Sequence, residues 1–245
     1  LMKSAINGMI AGLGDKYSQF IPKENQTAYV EERAGNNNNS VVSSKVVSCP
    51  AGYNVSVIKI SIIKEVAALQ LDVAVRKAIV SDCRGIILDL RNCPGGSAGA
   101  TDDILSNFLG VDKITMSRVL GSGKRETART LDSKYRTKLR AVRPLGWEKV
   151  ASLPVVCLVN DRSASASEVM ALALREGRHV PIVGKRTFGK GIGQDYIDVG
   201  VLGWVKTTLY SWYSPSGTSI HKTGVLPDFE EDDHKGQMDK ALSLF

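Results

Sequence analysis

The pattern of apolar and polar positions along the chain predicts an α/β domain. Short apolar runs rich in β-branched residues alternate with longer segments of helical period, as in a largely parallel sheet covered by helices. The predicted strands are residues 53–60, 85–90, 153–159 and 180–183. The predicted helices are residues 64–80, 100–109 and 166–176. We therefore expect a mixed, largely parallel central sheet with flanking helices.

The two ends of the chain have a different pattern. Residues 1–14 carry apolar side chains on one helical face and residues 24–33 suit a second short helix, so we expect a helical lead-in. Residues 203–213 alternate and include aromatic side chains, which predicts an antiparallel strand near the C-terminus. Residues 237–245 suit a closing helix.

A run of four asparagines, Asn36–Asn39, follows the lead-in. Short polar side chains of this kind favour loops and contribute nothing to an apolar core. We therefore predict three parts: a helical lead-in at 1–35, an Asn-rich linker at 36–40 and a core domain at 41–245.

A basic stretch at residues 124–149 contributes most of the formal net charge of +7. It contains no RNA-binding or zinc-finger pattern, and aromatic residues make up only 6% of the chain, so we predict no nucleic-acid partner. Two interpretations stay open: a solvated, partly helical face, and a patch for a polyanion or a membrane surface. No apolar run reaches the roughly 18 residues of a membrane-spanning helix.

The cysteines and histidines do not indicate a metal site. The four cysteines are far apart, and the three histidines are isolated, so no segment has the spacing of zinc ligands. Cys83 and Cys157 adjoin apolar strands, where cysteine usually acts as a small buried hydrophobe. We expect no metal and no cofactor.

Ser165 is the first candidate for chemistry, because it stands between a predicted strand and a predicted helix. Backbone N–H groups in the first turn of a helix have no intrahelical partner, and with the helix dipole they can stabilise an oxyanion. The same segment has a purely structural interpretation. Ser165 and Glu168 have the spacing of a helix capping box.

Lys190 is the second candidate, because glycines flank it and a buried strand precedes it. Shielding an amine from water lowers its pKa, and a neutral amine can accept a proton from serine. The alternative is an exposed lysine in a glycine-rich turn. A phosphate loop is excluded by Gly191, which follows Lys190 where the motif requires serine or threonine.

Ser97 is a rival nucleophile, because residues 95–99 match the G-x-S-x-G pattern of esterases. However, residues 91–94 separate this serine from its strand, and none of the three histidines is tied to it.

Taken in order, several segments resemble the carboxyl-terminal processing peptidases, also called tail-specific proteases. The resemblance covers about residues 4–20 and 40–245, although residues after 111 in the basic stretch carry no distinctive motif. The segments that carry it are residues 6–18, 85–96 (GIILDLRNCPGG), 163–168 (SASASE), 187–191 (TFGKG), 213–217 (YSPSG), 220–224 (IHKTG) and 226–228 (LPD).

The resemblance implies a crotonase/ClpP-like core and a serine endopeptidase that acts near the C-termini of proteins. Ser165 matches the family's nucleophile, Lys190 its general base, and Gln194 the residue that orients the lysine in many members. Backbone N–H groups of Ala166 and of Gly96, with Gly95 as the alternative, match the oxyanion donors. The implied partners are protein or peptide substrates, with peripheral membrane association and a homo-oligomer left open. The implied location is extracytoplasmic: periplasm, cell surface or thylakoid lumen.

The chain departs from this family at one place. Members usually carry a PDZ domain, which recognises the substrate's C-terminus, between the lead-in and the core. Only residues 31–40 occupy that position here, whereas a domain requires roughly 50 residues or more. Two alternatives to a Ser–Lys peptidase stay open: a non-catalytic peptide-binding or scaffold protein, and an esterase that uses Ser97.

Overall fold

The computed structural model describes residues 2–34, 40–110, 112–130 and 152–245. The chain divides into two units. The smaller unit comprises Leu1–Asn39, Arg118–Glu126 and Ile192–Trp212, and the larger comprises Ser40–Ser117, Thr127–Gly191 and Tyr213–Phe245. The three-part division predicted from the sequence stays a prediction, and most of its linker, residues 36–39, lies outside the described residues.

Strands and helices are numbered in chain order among the described residues. The helices are α1 Met2–Gly12, α2 Gln26–Ala34, α3 Glu65–Val80, α4 Ala98–Leu109, α5 Ala166–Arg178 and α6 His234–Leu242. The strands are β1 Gln19–Pro22, β2 Val42–Ser48, β3 Asn54–Ile60, β4 Gly85–Asp89, β5 Ile114–Leu120, β6 Arg125–Arg129, β7 Val155–Val159, β8 Ile182–Gly184, β9 Ile192–Asp198, β10 Gly203–Tyr213 and β11 Phe229–Glu230. No helix in the described ranges is long and apolar enough to cross a membrane.

The larger unit is built on a six-stranded sheet in the order β11-β8-β7-β4-β3-β2. All neighbours are parallel except β2 and β3, which are antiparallel. This confirms the predicted mixed, largely parallel sheet with flanking helices. The central strands β4 and β7 are buried along their whole length, which explains the wholly apolar sequence of β7 and the apolar run that precedes Asp89 in β4.

Alternate residues of the central strands face two different apolar layers. Val57, Ile87 and Leu158 belong to a cluster that includes Ala241, while Met238 and Leu242 pack against it, so α6 covers this face. The residues in between, such as Leu88 and Cys157, are also fully buried, because the helices α3, α4 and α5 pack in succession on the other face. The helices therefore hold the sheet from both sides.

A buried ion pair joins the end of β4 to α6. Arg91 is 1% exposed, and its guanidinium donates two hydrogen bonds to the Asp89 carboxylate, at 2.8 and 2.7 Å. Its remaining nitrogen donates to the Gln237 side chain and to the His234 carbonyl, both at 3.0 Å. A charge removed from water needs such partners, so these bonds fix the loop after β4 against α6.

The smaller unit contains an antiparallel arrangement around β10, as predicted for residues 203–213. β10 pairs with β1 and with β9, and the neighbouring β5–β6 hairpin approaches it where the Gly121 N–H donates to the Leu209 carbonyl at 3.0 Å. The described start of the basic stretch is thus strand, not helix. Residues 131–151 lie outside the described part of the chain.

We expect Arg91→Met to destabilise the protein by about 3–5 kcal/mol, because Asp89 would be left buried and unpaired. The measurement is the free energy of unfolding in urea. Lys185→Met is the control, since the Lys185–Asp232 pair has side-chain exposures of 40% and 87%. That control should cost less than about 1 kcal/mol, and equal losses would contradict the structural role of the buried pair.

Candidate active site

Ser165 occupies a strained backbone conformation at the start of α5. Its φ and ψ are 57° and −119°, a backbone conformation that residues other than glycine rarely adopt. The residue is half-buried and lies just beyond the loop that leaves the carboxyl end of β7. Strain of this kind is common where a serine must stand out from a strand-to-helix turn.

The two flanking serines have a structural role. Ser163 and Ser167 are fully buried, and each hydroxyl donates to a backbone carbonyl of the loop after β4: Ser163 to Leu90 at 2.9 Å, Ser167 to Cys93 at 2.8 Å. The Ala164 N–H donates to the same Cys93 carbonyl at 3.0 Å. The three serines of the serine triplet, Ser163, Ser165 and Ser167, therefore have different roles. The outer two join the loop after β4 to the loop after β7, and Ser165 lies between these two anchors in the chain.

The amides of Asn92 and Asn160 join the same two loops a second time. The Asn160 side chain accepts from the Asn92 N–H and donates to the Asn92 side-chain oxygen, both at 2.9 Å. Because β4 and β7 are parallel neighbours, these loops leave the same edge of the sheet. Their hydrogen bonds then fix one loop against the other.

The glycine turn after β4, Gly95 and Gly96, packs directly against the candidate nucleophile. A Cβ atom on Gly95 would lie 2.7 Å from the Ala166 nitrogen and 3.0 Å from the Ser165 Cβ, and Gly95 has a φ of +91°. On Gly96 the added atom would lie 2.0 Å from the Ile63 carbonyl oxygen. Only glycine fits at either position. The structure thus brings Gly95, Ser165 and Ala166 together, with Gly96 next in sequence, while the assignment of oxyanion donors stays a prediction.

Glu168 connects the start of α5, at Ser165, to residues 187–191, here called the lysine loop. Its carboxylate is fully buried and accepts four hydrogen bonds. One oxygen accepts from the Thr187 hydroxyl at 2.5 Å and the Gly189 N–H at 2.8 Å. The other accepts from the Ser165 N–H at 2.7 Å and the Lys190 N–H at 2.9 Å. The backbone nitrogens of Ser165 and Lys190 therefore lie within about 5.6 Å of each other, the sum of these two bonds.

Burial raises the pKa of the Glu168 carboxyl, and the hydrogen bonds from Thr187, Gly189, Lys190 and Ser165 partly offset that effect. The site therefore contains an acidic group whose ionisation differs from that of a surface glutamate.

The loop that carries Lys190 is held from its other side by residues 220–224. The Lys222 N–H donates to the Gly189 carbonyl at 2.8 Å. A Cβ on Gly189 would lie 2.8 Å from the Gly224 nitrogen, and one on Gly191 would lie 2.8 Å from the His221 Cβ. The glycines that flank Lys190 therefore permit close backbone packing, and Lys190 itself is half-buried.

The remaining candidates have other surroundings. Gln194 lies on β9 in the smaller unit, and its amide nitrogen donates to the Thr208 hydroxyl at 3.1 Å. Ser97 is the N-cap of α4 with an ordinary φ of −69°, and its hydroxyl accepts from the Ala100 N–H at 3.2 Å. Lys190 is followed by the strand β9, whereas a phosphate loop requires a helix. No group of three or more potential metal ligands occurs within the described ranges.

Sequence reasoning missed the partners of Glu168. The capping-box spacing drew attention to this glutamate, but Thr187, Gly189 and Lys190 are 19 to 22 residues further along the chain. The loop contacts of Asn92 and Asn160 were missed for the same reason. No local pattern indicates such pairs.

Comparison with known proteins identifies the family. The profile of peptidase family S41 matches residues 54–231, and the chain belongs to this family. That span contains the glycine turn, the serine triplet, Glu168 and the lysine loop.

Named relatives agree with this assignment. The chain is 33% identical over 178 residues to the carboxy-terminal processing protease CtpB of Bacillus subtilis (strain 168), covering 72% of the chain and 34% of that protein. It is 30% identical over 189 residues to a carboxyl-terminal-processing protease of Synechocystis sp., covering 77% of the chain and 40% of that protein. The chain thus spans about a third of the length of the first of these relatives.

Solved structures share the fold. The photosystem II D1 C-terminal processing protease superposes with a TM-score of 0.64 at 24% identity, covering 83% of the chain and 52% of that protein. A lipoprotein from Streptococcus agalactiae superposes with a TM-score of 0.71 at 16% identity, covering 99% and 81%. At these identities the likeness shows the fold alone.

The strain at Ser165 can be measured by comparing glycine with alanine there and at Ser97. Both residues are helix N-caps, but only Ser165 has a positive φ. We expect the stability advantage of glycine over alanine to be about 1 kcal/mol larger at 165 than at 97, because glycine relieves the strain. The measurement is urea unfolding of the four variants. If glycine is more stable than alanine by the same amount at positions 165 and 97, the backbone strain at Ser165 is contradicted.

Proposed function

We propose that this protein is a serine endopeptidase that uses Ser165 as nucleophile and Lys190 as general base. The observation that carries the proposal is the Glu168 oxygen shared by the Ser165 and Lys190 backbone N–H groups. It joins the start of a helix to a glycine-flanked, half-buried lysine. Membership of peptidase family S41 and the names of its relatives support the same reaction.

In this mechanism the Ser165 hydroxyl oxygen attacks the carbonyl carbon of a peptide bond while the neutral Lys190 amine takes the hydroxyl proton. The Ala166 N–H and an N–H of the glycine turn stabilise the oxyanion; the contacts of Gly95 with Ser165 support that turn as donor. When the tetrahedral intermediate collapses, the C–N bond breaks and the leaving amine receives the proton from Lys190. Water then attacks the acyl ester, and Lys190 again transfers the proton.

We infer that the substrates are proteins or peptides cleaved near their C-termini, as the names of the relatives suggest. The proposed location is extracytoplasmic, and Gln194 is proposed to orient the lysine. The stretch between α2 and β2 is too short for a PDZ domain.

A fluorophosphonate probe on the intact protein tests the nucleophile. We expect labelling at Ser165, and we expect both labelling and turnover of an unfolded protein substrate to be lost in Ser165→Ala and in Lys190→Met, because the two groups act as a unit. Ser97→Ala is the control and should be labelled like the parent. Mass spectrometry of the labelled peptide separates the alternatives: label on Ser97 indicates the esterase, and no label indicates a non-catalytic scaffold.

The pH dependence of kcat/KM tests the base. Only the neutral amine accepts a proton, so we expect kcat/KM to rise with pH as the ammonium form is lost. The measurement uses one peptide substrate between about pH 5 and 9. A flat profile over this range would contradict lysine as the general base.

A further inference from the structure

Glu168 has more hydrogen bonds than a helix cap requires. In a capping box the glutamate accepts one N–H, that of the N-cap residue, which here is Ser165. The three additional donors, Thr187, Gly189 and Lys190, all belong to the lysine loop. A cap alone would leave this side chain partly in water, yet Glu168 is fully buried.

Burying a carboxylate costs free energy unless hydrogen bonds compensate for the lost water. Here four donors from two separate segments surround the two oxygens, so the arrangement is complete only when both segments are in place. The carboxylate consequently favours one relative position of the two backbones.

We propose that Glu168 is a positioning residue that sets the distance and register between the nucleophile Ser165 and the general base Lys190. This inference rests on the proposed function of the site. Glu168 acts through the backbones that it binds.

Both carboxylate oxygens are needed for this role. An amide has the same shape but only one acceptor atom. In Glu168→Gln, the NH₂ group would face either the N–H pair of Ser165 and Lys190 or the donors Thr187 and Gly189. Donor would then meet donor, and the two segments would separate.

Thr187 offers a second way to test the same link. Its hydroxyl accepts from the Val225 N–H at 2.7 Å, which leaves its proton to be donated to Glu168. Thr187→Val keeps the shape and removes this donor, while Thr187→Ser keeps the hydroxyl.

The experiment measures kcat and KM of the parent and of each variant on one peptide, together with the rate of fluorophosphonate labelling and the melting temperature. For Glu168→Gln we expect a loss of kcat on the order of 100-fold with KM within about 3-fold of the parent, as for a misplaced reacting group. Labelling should slow by a similar factor. For Thr187→Val we expect a smaller loss of kcat, about 10-fold, which Thr187→Ser restores.

Glu176→Gln is the matched control. Glu176 lies on the same helix, and its carboxylate accepts from the Ser216 N–H at 2.7 Å and the Ser216 hydroxyl at 3.1 Å, away from the lysine loop. The same substitution there should leave kcat within about 2-fold of the parent.

The outcomes separate this inference from the proposed function. A parent that is neither active nor labelled at Ser165 overturns both. An active parent with a folded Glu168→Gln whose kcat is within about 3-fold of it overturns the positioning role alone. If Glu168→Gln does not fold, Thr187→Val decides: a kcat loss restored in Thr187→Ser supports the role, and an unchanged kcat overturns it.

Discussion

A buried carboxylate between two loops is the interaction on which the geometry of this site depends. Glu168 accepts hydrogen bonds from the backbone of Ser165 and from the backbone of Lys190. These residues are 25 positions apart in sequence, Ser165 in a serine-rich segment and Lys190 between two glycines. Four donors around one buried carboxyl group give these loops a single preferred arrangement, because any other leaves its oxygens without partners.

The sheet supplies the rigid frame for that arrangement. Parallel strands β4 and β7 are neighbours, so the loop with the glycine turn and the loop with the serine triplet leave at the same edge. Ser163 and Ser167 then bond to the carbonyls of Leu90 and Cys93. On the face of the sheet that α6 covers, the Arg91–Asp89 pair anchors the end of β4 to α6. Local strain at Ser165 is tolerated because the surroundings over-determine it.

Much of the larger unit could be predicted from sequence. The short apolar runs of β4 and β7, rich in β-branched residues, favour buried strands. The ordered motifs around Ser165 and Lys190 indicate a family that the comparison confirms. The edge strand β2 was missed, because its serine-rich sequence has one half-exposed face and no strong period. The hairpin strand β6 was missed for a similar reason, because its charged side chains alternate on an exposed strand and are also compatible with helix. The preceding strand β5, which is partly buried, was missed with it.

By itself, the sequence determined the parallel core, its flanking helices and which short segments carry reactive side chains, since these follow from local periodicity and motif order. Tertiary structure alone decided that the middle serine of three is the strained one, that Ser97 is an ordinary cap, and that Glu168 joins two segments. The physical reason is that hydrogen bonds between loops depend on where strands place their ends, and a linear pattern does not specify which donors will surround a buried charge.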